Sequence, residues 1–179
     1  EILVEDVTRV LNIELTPEVN QLDEVTVEKT VIKSQEQLRG EYATNKNLIN
    51  TAFGILDKDI TSFAVRIVEG KELNGIAIDL ASAIRFRVPG VRFDRPMSDP
   101  TDVTIYLRGS SVGFFPAIYD VDGLIMRDYP HFIQVENIER VAVISGLGAV
   151  TKYGGAANGG VIVINTKGAN YFPEPGTDK

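Results

Sequence analysis

The sequence predicts an α+β domain, a small mixed β-sheet with short helices, and three observations predict it. Apolar runs with the alternation of strands recur through the second half of the chain, each ended by glycine, proline or aspartate. Between two of these runs lies a segment whose apolar residues fall on one helical face. The hydrophobic fraction, 44%, is ordinary for a globular protein and sufficient for a core. Strands interspersed with short helices fit an α+β or α/β arrangement, and a small mixed sheet is the expectation.

The elements follow in order. Val10–Leu15 (VLNIEL) alternates and stops at Thr16–Pro17, as a half-buried strand does. A lone strand cannot bury its apolar face. It either joins the main sheet or closes a domain that begins upstream. Gln21–Lys33 is extended by β-branched propensity but poor in core-forming mass. Ser34–Asn50 is polar, with helical character around Gln35–Arg39. Phe63–Val68 (FAVRIV) reads as a strand. Ile76–Arg87 reads as a helix with Ile76, Leu80, Ala83 and Ile84 on one face and Asp79 and Arg87 off it, stopped by Pro89–Gly90. Val103–Leu107 and Ala117–Val121 are strands, the second turned by Asp122–Gly123. Ile138–Ile144 is a strand, Leu147–Tyr153 a short helix and Val161–Asn165 a final strand. The tail Tyr171–Lys179, with two prolines and a glycine, reads as a linker.

Charge and composition exclude several functions. The formal net charge is −7, and −6 of it falls in the residues up to Ile60, so an acidic leading segment precedes a balanced body. That balance argues against a nucleic-acid partner, which needs a net basic face. There is no cysteine, and the single histidine, His131, has no neighbour at metal-ligand spacing, so no metal or cofactor is expected. No run approaches the ~20 apolar residues of a membrane-spanning helix. The first residue is Glu1 and no charged-then-apolar leader follows it, so the expectation is a piece of a longer or processed protein.

The stretch Ile138–Lys167, IERVAVISGLGAVTKYGGAANGGVIVINTK, is similar to the closing signature of the plug domains of TonB-dependent outer-membrane receptors. Asp79–Val91 (DLASAIRFRVPGV), Thr104–Ser110 (TIYLRGS) and Pro116–Gly123 (PAIYDVDG) resemble further family pieces, in the family's order. Leu11–Val27 (LNIELTPEVNQLDEVTV) resembles the SusC-like, Bacteroidetes-type junction, where the last strand of a carboxypeptidase-regulatory-like domain runs into the segment that couples to TonB. The charged EKTVIK then stands where that branch has a glycine-rich segment. The resemblance implies residues 1–21 as the end of an upstream β-sandwich, 22–60 as a linker, 61–168 as the plug and 169–179 as a linker to a β-barrel.

The resemblance also implies a function: gating and energy coupling in an outer-membrane transporter that imports a nutrient such as a glycan or a peptide. The plug would sit inside the barrel with its N-terminal segment in the periplasm. The expected partners are the chain's own C-terminal barrel, TonB and a SusD-like surface lipoprotein. A free-standing periplasmic binding or signalling module that reuses the plug fold is the alternative. No catalytic role is expected.

Asp23, Glu24, Val25, Thr26 and Val27 form the candidate coupling segment, since an extended β-branched stretch can add to a partner's sheet; an ordinary linker is the other reading. Arg85, Arg87, Arg92 and Arg95 crowd one short stretch. They are candidates for contact with acidic groups of the barrel wall, or else solvated surface arginines. Arg108 either anchors the plug to the barrel or a plug loop to the sheet. Gly154, Gly155, Gly159 and Gly160 follow a helix and precede a strand. That order is wrong for a phosphate-cradling loop and right for tight turns and close packing. Asp120 and Asp122 point the same way along a strand, but turn chemistry explains them better than catalysis. Phe114, Phe115, Tyr119 and Tyr129 either stack on incoming sugar rings or pack the core and its rim.

Overall fold

The computed structural model describes residues 32–73, 79–99, 101–107 and 115–169. The Val10–Leu15 strand, Asp23–Val27, Ile76, Arg108, Phe114 and the tail from Tyr171 lie outside the described residues.

The chain enters through α1 (Gln35–Glu41), which a capping box starts: the Gln37 amide donates to Ser34 Oγ and the Ser34 amide to Gln37 Oε1. An antiparallel hairpin follows, β1 (Leu48–Thr51) with β2 (Gly54–Asp57). The Gln35 carboxamide pairs with both backbone groups of Ile55, at 2.8 and 3.0 Å, and so fastens α1 along β2. Leu38, Tyr42, Leu48 and Ile55 close a small core between helix and hairpin. Gln35–Asp57 is therefore folded structure, although it falls within the stretch 22–60 expected as a linker. Its strands are short and its turn, Ala52–Phe53, lacks the Asn-Gly or Asp-Gly signal that marks a hairpin.

The main sheet has the order β3 (Val65–Glu69), β8 (Ile138–Ile144), β9 (Val161–Thr166), β6 (Ile118–Val121), β7 (Leu124–Met126). β6 and β9 run parallel and the other pairs antiparallel, so the sheet is mixed, as expected. Asp122 and Gly123 take φ of 50° and 91° between β6 and β7. A primed hairpin turn demands positive φ at both centres, which aspartate and glycine tolerate.

Both faces of this sheet are covered, and period-two alternation sorts the side chains between them. Tyr119, Val141, Val143, Ile162 and Ile164 pack under α3 (Leu80–Arg87) and the hairpin of β4 (Arg92–Asp94) and β5 (Thr104–Tyr106). Ile118, Ala142, Ile144, Val161 and Val163 face the other way, with Ile49 and Leu56 of the first hairpin and Ala149 of α4 (Leu147–Tyr153). Cover on two sides explains why β9 is a continuous apolar run. A short α2 (Gly70–Leu73) follows β3 directly.

Two elements begin later than their apolar runs predict. The helix starts at Leu80 because Asp79 is its N-cap, accepting from the Ser82 amide at 2.8 Å; Asp79 is off the helical face because it precedes the helix. β3 starts at Val65 because Phe63 turns its ring onto Gly148, where a Cβ would lie 2.5 Å from it.

The glycine-rich stretch packs closely. A Cβ at Gly159 would fall 1.9 Å from the Pro116 carbonyl oxygen, and Gly160 holds φ at +93°. Gly159→Ala is expected to cost about 2–3 kcal/mol, since the obstacle is backbone. Equilibrium urea denaturation measures it, and an unchanged midpoint would refute this packing.

Candidate functional site

Three buried polar side chains stand in the middle of otherwise apolar strands, on the sheet face that carries the first hairpin: Arg140 of β8, Asn165 of β9 and Asp120 of β6. Each reaches across to the segment 42–52. The Arg140 guanidinium donates to the carbonyls of Tyr42, Asn45 and Leu48 at 2.7, 2.9 and 2.9 Å, and lies 4.3 Å from the centroid of the Tyr42 ring. Asn165 Oδ1 accepts from the Tyr42 hydroxyl and the Asn50 amide, and its Nδ2 donates to the Asn50 carbonyl. Asp120 accepts from the amides of Ala52 and Gly123 and, at 2.6 Å, from the Tyr153 hydroxyl.

These groups hold segment 34–57 on the sheet by a polar seam, beside the apolar packing of Ile49 and Leu56. Every hydrogen bond named for Arg140 ends on a neutral carbonyl, which spreads its charge over backbone dipoles at carbonyls left over by the loop and strand start. Burial pushes the Tyr42 hydroxyl well above its usual range. Burial and then the hydrogen bond to Asp120 do the same for Tyr153. Both phenols therefore stay protonated and able to donate at any ordinary pH. Asp122 accepts from the Thr166 amide and hydroxyl at 2.8 and 2.6 Å, tying the β6–β7 turn to β9. The two aspartates thus do structural work, Asp120 in the seam and Asp122 at the turn.

The arginine group lies on the opposite side, on α3 and the hairpin after it. Arg85 and Arg95 stand over the Phe93 ring, 5.4 and 5.7 Å from its centroid. Arg95 forms an ion pair with Asp79, the α3 cap, and Arg87 Nε donates to the Glu72 carbonyl at 2.8 Å. Arg92 is exposed on β4. Arg85, Arg87 and Arg95 thus have contacts within the domain.

The aromatic residues divide. Tyr119 is buried and packs edge-on to Tyr129, whose hydroxyl accepts from the Ala81 amide at 3.0 Å. His131 is exposed, edge-on to Tyr129. Phe115 is half exposed. Among the described residues no cluster of His, Cys, Asp or Glu could hold a metal ion, and no helix is long and apolar enough to cross a membrane.

The seam was not singled out from sequence. The signal was present: one polar residue at an inward position of each of IERVAVI, VIVIN and AIYDV. Such a residue needs buried partners, and those partners come from a segment read as a linker.

A family model described as the TonB-dependent receptor plug domain matches residues 57–161, more than half of the chain. The chain belongs to that family. The match begins at the end of β2 and leaves α1 and β1 outside. Among curated proteins no sequence matches the chain. A solved structure of the RagAB peptide importer in its open-open state is similar at 22% identity, with a TM-score of 0.51, over 64% of this chain and 13% of that one. The ferric enterobactin receptor PfeA of Pseudomonas aeruginosa is similar at 26% identity, TM-score 0.47, over 57% of this chain and 17% of that one. The ferric yersiniabactin receptor FyuA of Yersinia pestis follows at 24% identity, TM-score 0.46, over 60% and 17%. The chain thus spans less than a fifth of the length of these receptors.

Two predictions follow from this plug domain's geometry. Arg140→Met leaves three carbonyls without their donor and is expected to destabilise by about 3 kcal/mol. Hydrogen exchange should show β1 and β2 losing protection before β8 and β9, and equal loss throughout would refute the seam's role. Burial would raise the Asp79 carboxyl, but the Ser82 amide and the Arg95 guanidinium outweigh it and hold it below the usual aspartate range. A group depressed in the folded state contributes stability above its unfolded pKa and loses it as pH falls through the folded value. Carboxyl NMR titration should place Asp79 below a free aspartate, and Arg95→Ala should move it up.

Proposed function

We propose that this plug domain gates and couples a SusC-like outer-membrane transporter that imports a nutrient such as a glycan or a peptide. The observation that carries the reading is the family match over residues 57–161, on a small sheet with its own core and a charge-rich exterior. A plug must fill a polar barrel lumen and still be able to shift, and both properties serve that task.

In this reading Asp23, Glu24, Val25, Thr26 and Val27 are taken up by TonB as an added strand. Arg85, Arg87, Arg92 and Arg95 present guanidinium groups to carboxylates of the barrel wall, with Arg108 as a further anchor. The contacts of Arg85 and Arg95 with Phe93 fix those side chains in place and lower the entropy lost on meeting a partner. In the same reading a surface lipoprotein of the SusD-like kind is a further partner, and residues 1–21 are the end of a carboxypeptidase-regulatory-like domain. The N-terminal segment lies in the periplasm and the plug inside the barrel.

The experiment is calorimetric titration of a peptide spanning residues 20–30 into the C-terminal domain of TonB, with a known coupling peptide as control. Binding that disappears with Val25→Pro is expected, because proline removes a strand donor. No heat where the control binds would remove the coupling assignment. Reading the coding sequence beyond Lys179 separates the two architectures: a long run of alternating strands is expected, and an immediate stop would favour the free-standing periplasmic module.

A further inference from the structure

β3 is an edge of the main sheet. It pairs with β8 in unbroken register from Val65 to Glu69, and among the described residues no strand pairs with its other side. An edge strand turns alternate N–H and C=O groups outward, and proteins blunt such edges with proline, bulges or cover. β3 has no proline and no bulge.

Beside this edge lies a cleft of about 580 Å³, walled by Val65, Arg66 and Ile67 on one side and by Val88, Pro89 and Val91 on the other. Its apolar wall is small and aliphatic. Its charge has one sign: Lys58 and Arg66 line it, and no carboxylate does. Both are exposed, and neither cationic head has a hydrogen-bond or ion-pair partner among the described residues. The strand's one carboxylate, Glu69 at its far end, is engaged by Lys46 and Lys71 at 2.9 and 2.5 Å.

The geometry points to the free edge of β3 as a docking site for an extended acidic strand of another polypeptide, one that alternates β-branched and carboxylate side chains. Backbone pairing with β3 supplies the register. Alternation puts the carboxylates on the face where Arg66 stands beside the Val88–Val91 wall, and the β-branched side chains on the other face beside Val65 and Ile67. A second copy of this chain fits less well, because pairing β3 with itself brings Arg66 and Lys58 of both copies together. The inference rests on the sheet edge and the cleft alone, so it holds or fails separately from the transporter reading.

The test titrates the ¹⁵N-labelled 179-residue chain with the capped peptide acetyl-Asp-Val-Glu-Ile-Glu-Val-amide. Amide shifts confined to Val65–Val68 and Val88–Val91 are expected. Arg66→Glu, an exposed change that leaves the core alone, should weaken binding about fivefold, as for the loss of an exposed ion pair replaced by repulsion. A peptide with lysine for each acidic residue should bind more weakly still. The proposal is overturned by shifts absent from β3, by shifts spread over every cationic surface, or by affinity indifferent to Arg66→Glu. Shifts at β3 on concentrating the chain without peptide would also overturn it, since they would identify a second copy as the occupant.

Discussion

The placement of Arg140 inside the sheet governs the rest of this structure. A guanidinium almost removed from water must find acceptors, and its acceptors are three carbonyls at the end of α1 and the start of β1. The first hairpin is therefore positioned by the need to satisfy a charge at the centre of β8, with Asn165 and Asp120 extending the same demand along β9 and β6. Removing any one of the three strands polar groups of the segment 42–52, which is why such a network is sharper in its geometry than an apolar contact of equal area.

The two faces of the sheet are consequently held by different physics. Under α3 the contacts are aliphatic and aromatic, and they close a dry core around Tyr119. Under the first hairpin a smaller apolar cluster is divided by the polar seam, and those contacts are ones that water can replace. In the proposed role, a plug that must loosen within a wet lumen has a face suited to it: detaching 34–57 exposes groups that water satisfies, at lower cost than exposing an equal area of aliphatic surface. Tyr42 and Tyr153, kept protonated by burial, remain hydrogen-bond donors in that attachment at any ordinary pH.

What could be read from the sequence divides along the same line. β8, α4 and β9 were legible because each is bounded by a glycine-rich turn and carries its own periodicity, and the mixed sheet follows from them. The Asp122–Gly123 turn was legible because its chemistry is local. The start of α3 was missed because a capping aspartate and a helical aspartate look alike until the preceding turn is known. The first hairpin was missed because its short strands are fastened by Arg140, Asn165 and Gln35, partners as far as 115 residues away. The stacking of Arg85 and Arg95 on Phe93 and the Asp79 pair depend on the β4–β5 hairpin, for which β4 gave no periodic signal.

The measurement that tests this account most directly is a double-mutant cycle across the seam, Tyr42→Phe against Asn165→Leu, read by equilibrium denaturation of the chain. The two side chains share one hydrogen bond of 2.8 Å over a separation of 123 residues. A coupling energy of about 1 kcal/mol or more is expected if segment 34–57 is fastened to the sheet as described. Strictly additive effects would mean that the hairpin and the sheet do not meet through these groups, and would contradict it.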